Sequence, residues 1–186
     1  MSVKENYSNL QKEIKEACEK VRRKPEEITL VGVTKNQEIP KIKELVEAGI
    51  RDIGESKAQE LEEKYPDLKE MKADIHFIGH LQSNKVKKVV EMSDYIHSVD
   101  SLDLLRKIHY AASDMNKVQS VFLQVNTSGE KQKFGMPPKE VESMMSTMKN
   151  LPYDNVEFIG LMTMAQHTEH EEIIRDSFRP LYDLKE

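Results

Sequence analysis

The sequence lacks several features that mark particular classes of protein. Its 186 residues contain no tryptophan and only one cysteine, Cys18, so an internal disulfide and a zinc–thiolate cluster are both excluded. No run of about 18 apolar residues is present, which argues against a membrane-spanning helix. The N-terminal segment also has no apolar stretch of the kind found in secretory signals. We therefore expect a cytoplasmic protein with no membrane partner.

The charge of the chain is nearly balanced and slightly acidic. There are 28 Lys and Arg residues against 33 Asp and Glu, for a net charge of −5. Non-specific nucleic-acid binding needs a basic surface, so we expect no nucleic-acid partner. Apolar residues make up 38% of the chain, which is above the range of disordered sequences. The length predicts one folded domain, residues 1–186.

Helical and strand periodicities alternate along the chain. Strands are predicted to start near residues 29, 52, 75, 95, 121 and 157, and one helix fits into each interval. The first strand is predicted over 29–35, Pro66 is predicted to stop the third helix, and Thr168 and Glu171 form a capping box that predicts the start of the last helix. This pattern is typical of the βα units of a parallel sheet in an α/β protein.

Two α/β architectures fit this pattern, a doubly wound sheet and a (β/α) TIM-type barrel, and periodicity does not choose between them. A complete barrel needs eight strands, and six are visible here. An arc of six strands would leave two exposed edges.

Polar residues follow the apolar strands, at the edge where parallel α/β folds bind their ligands. The strand ends carry Lys35, Glu55 with Ser56, His80, Asp100, Asn126 with Thr127, and Thr163 with Met164. The polar segment 127–135 follows the fifth strand, so it is a candidate cover for a ligand, and Lys133 within it is a candidate contact for an anion.

Lys35 is the most informative of these residues. A lysine that ends an apolar strand can lie against low-dielectric walls, which would lower the pKa of its ammonium group. The neutral amine is a nucleophile that forms a Schiff base with a carbonyl compound. A lysine that simply leaves the sheet and reaches solvent fits the same spacing, and the spacing alone leaves both interpretations open.

The histidines invite a metal-binding interpretation that the spacing disfavours. His76 and His80 are four residues apart, but they lie in a predicted strand, where four residues span about 13 Å. One zinc ion cannot bind both side chains at about 2 Å. His97 is predicted to be a strand residue with a hydrogen-bond partner, and His167 and His170 are predicted to be a solvated pair near a helix start.

Several segments together resemble one protein family. They are LVGVTK (30–35), AGIRDIGES (48–56), HFIGHLQSNKVK (76–87), IHSVDS (96–101), QVNTSGEKQKFGM (124–136) and IGLMTM (159–164). In their order and spacing they resemble the YggS/PROSC family, the pyridoxal 5′-phosphate (PLP) homeostasis proteins. That family is similar in fold to the N-terminal barrel of alanine racemase, and the resemblance covers essentially the whole chain.

The resemblance implies a fold, a cofactor and a function. It implies a TIM-type barrel domain in which Lys35 forms a Schiff base with PLP, and it places Ser56 and Met162 with Lys35 among the cofactor-binding residues. It also implies a protein that binds, buffers or delivers PLP and has no established turnover. Apo forms of PLP-dependent enzymes are then possible partners, and we expect a monomer or a weak homo-oligomer.

The sequence departs from the family's pattern in two places. Ser56 stands where the family usually has asparagine. The motifs S-M-G-M-S and R-I-G, which in the family belong to two further strands that hold the PLP phosphate, do not occur. We therefore expect weakened phosphate binding and a C-terminally incomplete barrel, whether the chain is a truncated product, an incomplete record or a short form that pairs with another chain.

Two other functions fit the sequence. One is a Schiff-base or PLP enzyme, of the aldolase or racemase type. A racemase needs a second acid or base on the opposite face of the cofactor, which alanine racemase takes from another domain and chain. The other is a remnant that binds no cofactor and acts through protein interaction.

Overall fold

The computed structural model describes residues 2–130, 133–150 and 152–184. Strands and helices alternate throughout these residues. The strands are β1 (Gly32–Val33), β2 (Asp52–Glu55), β3 (Asp74–Phe77), β4 (Tyr95–Val99), β5 (Gln119–Gln124) and β6 (Val156–Met162). The α-helices are α1 (Val3–Lys20), α2 (Ile39–Glu47), α3 (Ala58–Glu70), α4 (Val86–Met92), α5 (Leu102–Asp114), α6 (Pro138–Asn150) and α7 (Glu171–Asp183).

The described strands form one parallel sheet whose spatial order follows the order along the chain, from β1 to β6. Right-handed crossovers place all the connecting helices on one face when the strand order never reverses. A doubly wound sheet does reverse its strand order. The sequential order therefore favours the barrel-type α/β arrangement. β1 and β6 are the edge strands of the described sheet, as expected for an arc of six strands.

The core lies between the sheet and its helices. Ile53 and Ile75 are paired neighbours on β2 and β3, and Ile96 and Val121 are paired neighbours on β4 and β5. All four are buried. Side chains of α3, α4 and α5 cover them, among them Leu61, Leu68, Val89, Leu105 and Ile108. None of the helices in the described residues has both the length and the apolar character needed to cross a bilayer.

The opposite, concave face of the sheet is more polar. Because side chains alternate between the two faces of a strand, the residues next to the buried isoleucines point away from the helices. The register aligns Gly54, His76 and Tyr95 side by side on this face. Val33 on β1 and Ile159 on β6 are about half exposed there, while His76 on β3 is buried, so the concave face of the described sheet is open to solvent at its two edge strands.

The predicted boundaries of β1 and α3 are wrong in instructive ways. β1 is shorter than the predicted 29–35 because the chain turns directly after it, where the Gln37 N–H donates to the Thr34 carbonyl at 3.0 Å. The helix α3 continues through Pro66 to Glu70. Pro66 lies on the exposed side of α3, where solvent can hydrate the carbonyl that loses its partner, while Leu61 and Leu68 keep the other side packed.

The predicted start of the last helix is also wrong. The helix α7 begins at Glu171, and His170 occupies its N-cap position without a side-chain cap. The Thr168 hydroxyl instead accepts from the His170 N–H at 3.2 Å. This local bond is a turn within the preceding segment, and such bonds compete with helix formation.

Candidate functional site

Lys35 and Ser56 lie at the carboxyl ends of neighbouring strands. Val33 pairs with Gly54, and the Thr34 N–H donates to the Gly54 carbonyl at 3.0 Å. Two residues farther along, Lys35 and Ser56 follow on the concave side, opposite the side on which Thr34 and Glu55 meet. The register therefore places two of the three residues that the resemblance implies for cofactor binding at the ends of neighbouring strands.

Met162 lies at a different place on the same edge. It is the last residue of β6 and half-buried, and its carbonyl accepts from the Val125 N–H at 2.8 Å. Because β1 and β6 are at opposite ends of the sheet, nothing in the described residues places Met162 beside Lys35. Met162 remains a prediction from the resemblance.

The side chain of Lys35 is exposed. This differs from the expected position against low-dielectric walls, and Val33, two residues earlier, is also half exposed. No described residue forms a hydrogen bond or ion pair with the Lys35 ammonium, and none bonds the Ser56 hydroxyl. Both polar groups are therefore free to contact a ligand. A cavity of about 280 Å³ adjoins Ser56, and two lysines, Lys57 and Lys85, contribute to its lining.

A buried polar cluster lies beneath Lys35, on the helix side of the sheet. Lys64 of α3 donates to Glu55 at 2.8 Å, to Glu60 at 2.7 Å and to the Thr34 carbonyl at 2.7 Å. Sequence reasoning noticed Glu55 as a strand-end residue but missed its partners. A signal was available, because Lys64 shares the buried stripe of α3 with Leu61 and Leu68, and a core-facing lysine needs a charged partner.

The segment 127–135 is organised by Asn126. Its amide donates to the carbonyls of Glu130 at 2.9 Å and Lys133 at 3.2 Å. The Lys133 ammonium forms an ion pair with Glu130 and a hydrogen bond with the Ala165 carbonyl. In this structure its charge is therefore paired within the protein, and not with an anionic ligand. Phe134 stacks on His80 with 3.8 Å between the ring centroids. The described part of this segment thus reaches the end of β3, which is the direction expected of a ligand cover.

The histidines of the concave face form a hydrogen-bonded chain with an aspartate. His76 Nε2 contacts Asp52 Oδ1 at 2.9 Å, and His76 Nδ1 contacts His97 Nε2 at 2.8 Å. The rings of His76 and Tyr95 stack at 4.4 Å. The prediction that His97 is a strand residue with a partner is confirmed, and both ring nitrogens of His76 are already in use. The described residues contain no group of three or more side chains suited to a metal ion.

Burial of His97 makes the stability of the fold depend on pH. Burial, with a smaller contribution from His76, lowers the pKa of His97 from 6.5 to about 4. His97 therefore binds a proton below about pH 6.5 in the unfolded chain, but only below about pH 4 in the folded chain. We expect the free energy of unfolding to be greatest above pH 6.5 and to fall by about 2 kcal/mol between about pH 7 and pH 5.

Urea unfolding of the parent and of His97→Gln at both pH values measures this effect. The variant should lose most of the dependence on pH in this interval. His167→Gln, at an exposed position, is the matched control and should behave like the parent. The same pH dependence in His97→Gln as in the parent would show that other groups cause it.

The geometry defines a class of protein: a parallel, sequentially ordered α/β sheet of barrel type with an accessible lysine at the end of its first strand. The family model described as alanine racemase, N-terminal domain, matches residues 6–181. A pyridoxal phosphate homeostasis protein of Aquifex aeolicus is 35% identical over 186 residues, which cover 100% of this chain and 81% of that protein.

Solved structures give the same relationship. A structure described as an unknown protein from Bifidobacterium adolescentis is 32% identical, with a TM-score of 0.88 over 98% of this chain and 77% of that chain. The PipY protein of Synechococcus elongatus, in a structure with PLP bound, is 27% identical, with a TM-score of 0.70 over 92% of this chain and 85% of that chain. This chain therefore belongs to the alanine racemase N-terminal domain family and, within it, to the pyridoxal phosphate homeostasis (YggS/PROSC) proteins, as the motifs predicted.

Proposed function

We propose that this chain is a cytoplasmic PLP-binding protein that holds the cofactor covalently on Lys35 and takes part in PLP homeostasis, as a carrier or buffer. The observation that carries the proposal is the position of Lys35, whose amine is accessible and without a partner among the described residues at the end of β1. The PLP-bound relative supports the identity of the ligand.

The residues present fit an aldehyde ligand at this position. The neutral amine of Lys35 would attack the aldehyde carbon, and one water molecule would leave as the C=N bond forms. The Ser56 hydroxyl, directly after the neighbouring strand β2, can donate or accept one hydrogen bond to the ligand. PLP supplies the reactive aldehyde, and the protein supplies the amine, its orientation and the neighbouring hydroxyl.

The exposure of Lys35 favours a ligand that can exchange. Its side chain is exposed among the described residues, so a ligand held there has a path to solvent. Exchange of PLP with apo enzymes is the partner interaction that this arrangement would allow.

A PLP titration of the purified chain, followed in the visible spectrum, tests this proposal. We expect a saturable Schiff-base band. Borohydride reduction and peptide mapping should then locate the cofactor on Lys35. Mapping to another lysine, or no band from a chain with a folded circular dichroism spectrum, would contradict the proposal, and the latter result would favour a protein without cofactor.

The same trapping experiment distinguishes the proposed PLP carrier from a Schiff-base or PLP enzyme. A lysine that acts directly on a carbonyl substrate is trapped by borohydride with that substrate when PLP is absent. Trapping that requires PLP, without racemisation of added amino acids, would support a carrier. Turnover of an amino acid at a rate that depends on Lys35 would instead establish an enzyme.

A further inference from the structure

The two peptide bonds that flank Lys35 are both held by side chains of α3. On one side, the Thr34 carbonyl accepts from Lys64 Nζ at 2.7 Å and from the Gln37 N–H at 3.0 Å. On the other side, the Asn36 N–H donates to Glu60 Oε1 at 2.5 Å. The backbone therefore has little freedom immediately before and after the lysine.

The conformation of the turn adds a second constraint. Asn36 has a φ of +59°, in the left-handed region that asparagine tolerates better than most residues. The turn that contains Lys35 and Asn36 is closed by the bond from Gln37 to Thr34. The hydrogen bond from Asn36 to Glu60 holds this uncommon conformation in place.

Lys64 links the two sides of the turn through one ammonium group. Its three hydrogens are matched by three acceptors: the Thr34 carbonyl, Glu55 Oε1 at 2.8 Å and Glu60 Oε1 at 2.7 Å. The side chain of Lys64 is only 10% exposed and that of Glu55 is fully buried. The Thr34 hydroxyl also donates to Glu55 Oε1 at 2.6 Å, so both the carbonyl and the hydroxyl of Thr34 join the cluster.

The pKa shifts of Lys64 and Glu60 both favour their charged forms. Burial opposes the charged form of Lys64, but hydrogen bonds to Glu55 and Glu60 outweigh it and raise the pKa of the ammonium group. The hydrogen bond from Lys64 is the main cause that lowers the pKa of Glu60, against an opposing effect of burial. Hydrogen bonds between charged groups are shorter and stronger than neutral ones, which suits them to fix a backbone segment.

Stability alone is a poor explanation for this cluster. Removing two charges from water costs several kcal/mol per ion, and apolar residues of similar volume often stabilise a protein as well or better. Glu55 Oε2 is buried and has no hydrogen-bond partner in the described structure. Hydrogen bonds therefore do not fully offset the desolvation free energy of the Glu55 side chain. What the ion cluster does, and an apolar replacement could not do, is bond to the peptide groups on both sides of Lys35.

We propose that Glu60, Lys64 and Glu55 act as positioning residues, forming a clamp that fixes the turn at Lys35 and thereby sets where its amine meets the aldehyde of the ligand. This inference rests on the proposed function of Lys35. The clamp acts through the backbone from the helix side of the sheet, while the ligand is handled on the concave side.

The test compares three variants on α3. Glu60→Ala removes the acceptor of the Asn36 N–H, Glu60→Gln keeps an oxygen acceptor there, and Glu63→Ala removes an exposed carboxylate of the same helix as the matched control. We expect Glu60→Ala to slow formation of the Schiff base at Lys35 about ten- to a hundredfold, because small misplacements of a reacting group have effects of this size. Glu60→Gln should recover most of the rate, and Glu63→Ala should match the parent.

The outcomes distinguish this inference from the proposed function. The share of borohydride-trapped PLP on Lys35, by peptide mapping, should fall in Glu60→Ala as reaction at other lysines competes. Loss of thermal stability in Glu60→Ala with an unchanged rate and unchanged mapping would overturn the clamp, and so would equal rates for Glu60→Ala and Glu60→Gln. If Glu60→Ala does not fold, Glu60→Asp, which shortens the side chain but keeps its charge, must show the slower reaction. The absence of a Schiff base on Lys35 in the parent would instead contradict the proposed function itself.

Discussion

Replacing Lys35 by alanine is expected to abolish covalent binding of PLP while the protein stays folded. The amine is the proposed attachment point, and the other amine near the end of β1, that of Lys64, is held by three hydrogen bonds. Because the Lys35 side chain is exposed and without a partner in the described structure, its loss should change the free energy of unfolding by no more than about 0.5 kcal/mol. Function and stability should therefore separate in this variant.

Visible spectra of the parent and of Lys35→Ala, each titrated with PLP, measure the loss. We expect no saturable Schiff-base band in the variant and at least about a tenfold weaker retention of PLP in equilibrium dialysis. Lys41→Ala, at an exposed lysine of α2, is the matched control and should keep the band. A band of undiminished intensity in Lys35→Ala would show that another lysine holds the cofactor.

Gly79→Ala is expected to be the most damaging small substitution near the site. A methyl group at Gly79 would lie 1.9 Å from the Ser56 carbonyl oxygen and 2.8 Å from Ser56 Cα. These are backbone atoms, so the end of β2 and the segment after β3 would have to move apart. The hydrogen bond from the Ile78 N–H to the Glu55 carbonyl, 2.9 Å long, would be strained by the same movement.

We expect Gly79→Ala to lose about 3 kcal/mol or more of stability, since overpacking against atoms that cannot yield is costly. PLP binding should weaken as well, because Ser56 would be displaced relative to Lys35. Thermal unfolding and the PLP titration measure the two effects. Gly160→Ala, where the new methyl group would meet the Phe122 ring at an ordinary 3.7 Å, is the control. If Gly79→Ala were as stable as the parent, the contact between Gly79 and the Ser56 backbone would not be as close as described.

Some parts of the site were open to prediction because they depend on local patterns. An apolar strand that ends in a lysine is visible in the sequence, and so is the polar residue that ends each neighbouring strand. The prediction that Lys35 and Ser56 share one edge of the sheet followed from the rule that parallel strands end on the same side. Their alignment on neighbouring strands depended on the register of β1 and β2, which no local pattern specifies.

Other features escaped prediction because they join residues that are distant in the sequence. Lys64 contacts the Thr34 carbonyl 30 residues away, and the close approach of Gly79 to Ser56 joins the ends of two strands. The exposure of Lys35 had the same origin, since it depends on what covers the concave face and not on the residues next to it. Pro66 predicts a helix end, but α3 continues through it because the packing of the opposite side of the helix outweighs one lost hydrogen bond.

By itself, the sequence determined the alternation of strands and helices, the six strands, the family and the lysine proposed to bind the cofactor. Each of these is written in periodicity or in short motifs, which are local properties of the chain. Periodicity left a doubly wound sheet and a barrel open, the resemblance implied the barrel, and the tertiary structure showed the sequential strand order. Only the tertiary structure showed that a helix holds both sides of the Lys35 turn. Those features depend on strand order and on the packing of α3 against β1 and β2, which are contacts between residues far apart in the chain.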